Sequence, residues 1–370
     1  MKPAAPRTRP ALAHLEGELA ALADAGLLRV RPEPYRASEV SFCSNDYLGL
    51  GTPEDGRPAM GSGAARLVAG EHVEHRALEV ALATWLGHSA ALLFTSGYAA
   101  NVGLVPALAR DATDLVLSDA LNHASLVDGC RLARAETRIY PHLDLAAVEK
   151  ELRSGRARRT WVVTESYFSM DADSPDLAEL RALCDHYGAA LVVDEAHALG
   201  VLGPEGRGLL AAADVQADVT VGTLGKAFGG AGAFVAGCDD LVAWLWNRAR
   251  SFVFSTGLSP ALAAAGLASL ERIRADGTLR SNALARADQL RVGLRGLGKE
   301  PLGYGHIVPW RIGDSREASR IASALRAQGF GVQAIRPPSV PAGTARIRFT
   351  ASARQRPEDI DKLLFAIGKL

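Results

Sequence analysis

Leu12, Leu15, Leu19, Leu22 and Leu27 recur at mostly helical spacing and predict a helix over 11–28, stopped by the proline-bearing RVRPEPY. A two-residue alternation follows in EVSFCSN (39–45), then glycine-rich turns between Gly49 and Gly70, then a helical pattern over 72–86 that closes at Gly87. From there short apolar runs alternate with helical ones. AALLF (90–94), DLVLS (114–118), RTWVVTES (159–166), AALVVDEA (189–196), VTVG (219–222) and AGAFVAG (231–237) read as strands. Between most of them, 97–109, 123–134, 144–152 and 176–187 read as helices, the last opening on Ser174-Pro175 and closing at Gly188.

Uniformly apolar strands alternating with helices predict an α/β fold with a largely parallel sheet covered on both faces. Such sheets collect ligands at the carboxyl ends of their strands. After Gly257 the pattern changes: helices near 259–275 and 280–296, the run HIVPWRIG, a helix over 315–328, a strand-like GVQAI, the segment RPPSVPAGTARIRFT, and a closing helix from about 357. The expected division is an N-terminal helix and arm over 1–48, a large α/β domain over 49–258 and a smaller α+β domain over 259–370.

Composition narrows the function. Lys+Arg and Asp+Glu both number 41, so no net field draws the chain to nucleic acid or an anionic membrane, and neither is expected as a partner. Cys43, Cys130, Cys184 and Cys238 form no CxxC pair and suggest neither a disulfide framework nor a metal site. The N-terminal stretch lacks an apolar signal core and no run of eighteen apolar residues occurs, which makes the cytoplasm the expected compartment.

Candidate chemistry sits at the strand ends. In TVGTLGKAFGG (220–230) Lys226 stands among small residues, and Gly225, Gly229 and Gly230 let the backbone approach a bulky ligand. The bland alternative is a structural lysine paired with an acid; an amine of lowered pKa in such a pocket suits a Schiff base. In LVVDEAHALGVLGPEGRG (191–208) Asp194 ends a buried strand, where a carboxylate is costly unless it meets a cation such as a protonated heteroaromatic nitrogen. FTSGYAAN (94–101) is a strand, a Ser-Gly turn and a helix start whose free N–H groups suit a phosphate. His123, at another helix start, is placed to lie flat on an aromatic ring, although a lone histidine is more often a packing or surface residue.

Together NDYLGL (45–50), GSGAARLVAG (61–70), FTSGYAAN, DALNHASL, TESYFSMDAD (164–173), VVDEAHALGVLGPEGRG, TLGKAFGG and RPPSVPAGTARIR (336–348) run in order over nearly the whole chain. In this set the chain resembles the α-oxoamine synthase family of fold-type I pyridoxal-5'-phosphate (PLP) enzymes. The resemblance implies a central, mostly parallel sheet with a smaller C-terminal domain, and a decarboxylating acyl transfer that forms a C–C bond. It further implies that Lys226 holds the cofactor and acts as base, that Asp194 pairs with the pyridine nitrogen, that His197 meets the phenolic oxygen and that His123 stacks on the ring. Ser169, Thr223 and the backbone of Ser96, Gly97 and Tyr98 would lie around the phosphate and ring oxygen. The site would sit at a homodimer interface, with Ser255 and Thr256 reaching the partner's phosphate.

For substrate, the same resemblance points to Arg348 as the carboxylate clamp with Asn45 beside it, to Arg29 near the acyl chain and to Arg336 at the substrate entrance. A guanidinium suits the clamp because its forked donors meet both carboxylate oxygens. Arg346, two positions away on a strand-like run, is the alternative. The expected substrates are L-alanine and a pimeloyl thioester, carried by coenzyme A or an acyl carrier protein. A family member joining glycine to acetyl-CoA, an aminotransferase of the same fold and a non-catalytic binding protein remain open. Departures from the commoner pattern are a short 51–60 segment, Cys43 for serine, Ala172 for glycine, and Ser166-Tyr167 for Gly-Val, with Tyr167 expected to reshape the acyl channel.

Overall fold

The computed structural model describes residues 10–34 and 57–370. Asn45, Cys43 and NDYLGL lie outside the described residues. Seven strands form the main sheet: β1 (Ala90–Phe94), β2 (Leu115–Asp119), β3 (Glu136–Tyr140), β4 (Thr160–Glu165), β5 (Ala190–Asp194), β6 (Val219–Thr223) and β7 (Ala233–Gly237), in the order β1-β7-β6-β5-β4-β2-β3. Only β7 runs against the common direction of the other six. The connection from Thr223 to Ala233 is too short for a crossover helix, so β7 has to turn back beside β6.

Alternate residues along each strand enter opposite cores. Leu92, Val116, Val163, Val192, Val221 and Val235 pack under the N-terminal helix His14–Asp24 and the helices Gly97–Leu108 and Asp239–Arg248. On the other face Leu93 and Phe234 meet Leu78, Leu82 and Trp85, while Leu117, Val162, Leu191 and Val193 meet Leu180 and Cys184. The second sheet, β8 (Ile307–Gly313), β10 (Ala345–Thr350) and β9 (Ala334–Ile335), is antiparallel and has its own core of Leu290, Leu294, Ile321, Leu325, Ile347 and Phe349.

Several sequence expectations shift. The first helix ends at Asp24, not 28, because Gly26 takes φ +67 and turns the chain, leaving Leu27 exposed. GVQAI pairs only through Ala334 and Ile335. The sequence pattern did not signal β3, an edge strand whose ETRIY is mostly polar, or the helix Asp239–Arg248. The turn carrying Arg66 is braced by buried ion pairs: Arg66 donates to Glu71 at 2.7 Å and to Glu79 at 2.5 Å, and Glu79 also accepts the Leu93 amide at 2.7 Å.

Candidate active site

The parallel strands end together, and each delivers a polar group. β5 ends at Asp194, flanked in register by Glu165 of β4 and Val221 of β6. Asp194 is buried but well supplied with donors: Asn101 Nδ2 reaches Oδ2 at 2.8 Å and the Ala196 amide reaches Oδ1 at 2.9 Å. Two hydrogen bonds leave the carboxylate free to accept one more. Asn101 also donates to Ser125 Oγ at 3.0 Å, and Ser125 Oγ stands 2.7 Å from His123 Nδ1. The Ser125 amide points at the same Nδ1 at 3.2 Å, which assigns the ring proton to Nε2. A single chain of contacts therefore runs from Asp194 to the ring of His123, which lies exposed at its helix start.

Glu165 fixes the backbone of His123, accepting its amide at 2.7 Å. Burial, reinforced by the nearby Asp194, pushes the Glu165 carboxyl up to about 8. Between about pH 4.5 and 8 the folded chain thus keeps a proton that the unfolded chain has released, so stability falls as pH rises through that window. The slope amounts to at most about 1.4 kcal/mol per pH unit. Glu165→Gln, which cannot ionise but still accepts the amide, is expected to flatten the decline of the urea midpoint between pH 5.5 and 8, measured at one protein concentration. An unchanged slope would show that Glu165 is ionised in the folded chain.

Lys226 lies in the β6–β7 connection, a loop closed on itself by Leu224 N to Gly232 O, Gly230 N to Leu224 O and Gly229 N to Lys226 O, each at 2.9 Å. Gly229 at φ +67 and Gly232 at φ +107 permit this tight path. The side chain is open to solvent along the cavity but walled by protein elsewhere. That burial pushes its pKa down, Arg348 adds to the effect, and Asp194 and Glu165 oppose it. His197 is held well below the usual imidazole range, first by burial and then by Lys226, Arg348, His306 and His123, so its ring is neutral. Lys226, His197, His306 and Arg348 line one cavity of about 720 Å³.

The helix Gly97–Leu108 begins at Ser96, whose side chain caps the Ala99 amide at 3.1 Å, and carries no acid in its first turn. A Cβ on Gly97 would stand 3.9 Å from the Thr223 side chain, so the helix start and the end of β6 adjoin. The Tyr98 hydroxyl donates to Asp128 at 2.7 Å. Ser169 is buried in the loop after β4, which is tied to β2 by His142 between Asp119 (2.8 Å) and Asp173 (3.2 Å). Burial works against a charged His142, yet the two carboxylates push its pKa up to about 9.

The two candidate arginines on β10 separate. Arg346 is 1% exposed and donates to Asp171 Oδ1 and Met170 O, both at 2.7 Å, and to Thr344 O at 3.0 Å. Arg348 lines the Lys226 cavity and has no hydrogen-bond acceptor among the described residues. Arg29 lies apart, in a groove with Trp246 and Asn247, where it donates to the Asn247 carbonyl at 3.2 Å. Arg336 is exposed on the turn after β9, and Ser255 and Thr256 sit on an open segment beside the exposed Phe254. None of these four lines the Lys226 cavity. Tyr167 does not line it either: it is 1% exposed, packed against Ala172, Ala198 and Leu202, with its hydroxyl donating to the Tyr304 carbonyl.

A family model for class I and II aminotransferases matches residues 37–367. The 8-amino-7-oxononanoate synthase of Anaeromyxobacter dehalogenans (strain 2CP-1 / ATCC BAA-258) is 47% identical, over 97% of this chain and 96% of its own length. The chain belongs to the 8-amino-7-oxononanoate synthases, within the class I and II aminotransferase family. Among solved structures, serine palmitoyltransferase from S. paucimobilis, holding a PLP–myriocin adduct, is 28% identical with a TM-score of 0.81, covering 97% of this chain and 96% of that one. The 8-amino-7-oxononanoate synthase from Francisella tularensis is 26% identical with a TM-score of 0.71, covering 81% and 87%. The fold is thus the fold-type I PLP-transferase fold that the motifs implied.

Within this 8-amino-7-oxononanoate synthase fold, sequence reasoning assigned no role to Asn101, Ser125, Glu165 or His306. The first three lie inside or beside quoted motifs, but their contacts cross between elements: Asn101 and Asp194 are 93 positions apart. His306 stands in HIVPWRIG, where the apolar strand pattern masks it.

Proposed function

We infer that the chain catalyses the reaction of its family, the PLP-dependent, decarboxylating condensation that forms 8-amino-7-oxononanoate for biotin synthesis, from L-alanine and a pimeloyl thioester. The observation that carries this reading is the convergence of Lys226, His197 and Arg348 on one cavity beside the Asp194 strand end. The residues in place fit PLP group by group. Asp194, steered by Asn101 and Ala196, has an acceptor position for a pyridinium N–H. His197 is neutral and close to Lys226, suited to the phenolic oxygen. The open face of His123 suits the ring, and the N–H groups of Gly97 and Tyr98 beside the Thr223 hydroxyl suit the phosphate. Ser169 and the Ser96 backbone would complete that end.

Bound there, PLP supplies the electron sink that makes loss of a proton beside an amino group accessible near neutral pH. The chain's own groups do the rest. Arg348 holds the substrate carboxylate. Lys226 Nζ, its pKa lowered by its surroundings, takes the α-proton and later returns one. Asp194 would accept the ring N–H, and His123 Nε2–H is available to the thioester carbonyl. The thiol departs when the new C–C bond forms, and the carboxylate then leaves as carbon dioxide.

The working unit is proposed as a homodimer, supported by Tyr98 and Phe254, two large apolar side chains 50% and 69% exposed beside the segments implied to meet a partner. Through that interface Ser255 and Thr256 would reach the partner's phosphate, while Arg29 would lie near the acyl chain and Arg336 at the substrate entrance. Coenzyme A or an acyl carrier protein would deliver the acyl group, in the cytoplasm. The deciding assay pairs L-alanine or glycine with pimeloyl-CoA or acetyl-CoA. The alanine and pimeloyl pair is expected to lead by at least about tenfold in kcat/KM, the discrimination a few methylenes and one methyl provide. A faster glycine and acetyl-CoA reaction would overturn the substrate assignment.

A further inference from the structure

The Lys226 cavity contains one polar ring that the reaction above does not use. His306 immediately precedes β8 and accepts the Ala351 amide at 2.9 Å through its carbonyl, which sets it beside the end of β10. Its ring lies 5.4 Å from that of Tyr167 at 36°, and Tyr167 is itself pinned by its hydrogen bond to the Tyr304 carbonyl. The residue is 8% exposed and lines the cavity with Lys226, His197 and Arg348. Nδ1 is buried with no hydrogen-bond partner, and Nε2 has none among the described residues. Burial, with Arg291 and Arg348 nearby, pushes its pKa down to about 4, so the ring is neutral and carries one N–H.

Burying Nδ1 without a partner costs about 1–3 kcal/mol, and with Nδ1 sealed in the packing Nε2 is the nitrogen left to meet a ligand. Tyr167, packed in its own apolar cluster, sets its ring against the imidazole at a tilt of 36°. We propose that His306 is a second, uncharged hydrogen-bond donor to the substrate carboxylate that Arg348 clamps. This rests on the reading of Arg348 as the clamp. An uncharged partner has a chemical advantage at a carboxylate destined to leave as carbon dioxide. It orients the group through a hydrogen bond without adding a second cation, which would stabilise the charged ground state more than the transition state in which that charge is lost. Tyr167, one of this chain's departures from the commoner motif, then serves the amino-acid end of the site by positioning His306.

The test compares L-alanine with L-alaninamide, which lacks the carboxylate, by titrating each into holoenzyme and following the absorbance of the bound cofactor. In His306→Leu the dissociation constant for L-alanine is expected to rise about tenfold, the worth of one hydrogen bond to a charged group, with that for L-alaninamide changing less than twofold. His306→Gln, which retains an N–H donor, should recover most of the L-alanine affinity. A folding defect would weaken both ligands together, so a parallel loss in His306→Leu without rescue by glutamine counts against the proposal. If His306→Leu leaves L-alanine binding unchanged while Arg348→Ala weakens it, the proposal is wrong and the clamp stands. If neither variant changes it, the clamp assignment falls as well.

Discussion

Lys226→Ala protein is expected to turn over L-alanine and pimeloyl-CoA at least about 10³-fold more slowly than the wild type and to retain no covalently attached cofactor, because in the proposed mechanism one amine serves as both attachment point and base. The loop makes that amine hard to replace. Its backbone is closed on itself at Leu224, Lys226, Gly229 and Gly230, so no neighbouring residue swings into the position. No other lysine lines the cavity among the described residues. Crowding lowers the Lys226 pKa while Asp194 limits the drop, so the amine gives up its proton more readily than a free lysine. The measurements are steady-state turnover and borohydride reduction of holoenzyme followed by peptide mapping. Label on a peptide other than the one spanning 220–230, or full turnover in the variant, would remove the basis of the assignment.

The second large effect divides two arginines only two residues apart. Arg348→Ala is expected to raise the KM for L-alanine about 10- to 100-fold, the loss of one or two hydrogen bonds to a charged group, and to leave the thermal midpoint near that of the wild type. Arg346→Ala does the reverse. Its guanidinium is buried against Asp171 and the Met170 carbonyl, and truncation leaves Asp171 with only the longer contact to Arg311 at 3.5 Å. The expected destabilisation is about 3 kcal/mol, at the lower end for a broken buried pair because Asp171 retains some contact with water. Thermal unfolding and alanine KM on both variants decide the matter. A raised KM confined to Arg346→Ala would move the clamp to that residue.

The first of these predictions could be framed from sequence alone, and the second could not. Lys226 stands out because a cation among glycines and apolar residues breaks the local pattern. Arg346 and Arg348 share a strand face, so a two-residue period treats them alike. They differ in what faces them: Asp171 from the loop after β4 meets Arg346, while the cavity meets Arg348. Tyr167 shows the same limit. Its bulk in the motif suggests an altered acyl channel, but its ring packs below His306 and does not reach the cavity. The strand β3 escaped notice for another reason: an edge strand needs only one covered face, and ETRIY offers little apolar signal.

The sequence by itself determined most of the alternation of strands and helices, the glycine-lined lysine and the motifs that place this chain in its family, because these features are written within a few neighbouring residues. The tertiary structure alone decided how Asp194, Asn101, Ser125 and His123 link, which arginine faces the cavity, and that His306 joins it. Those contacts depend on the order in which strands pair and on how the second sheet meets the first, and neither is carried by local periodicity.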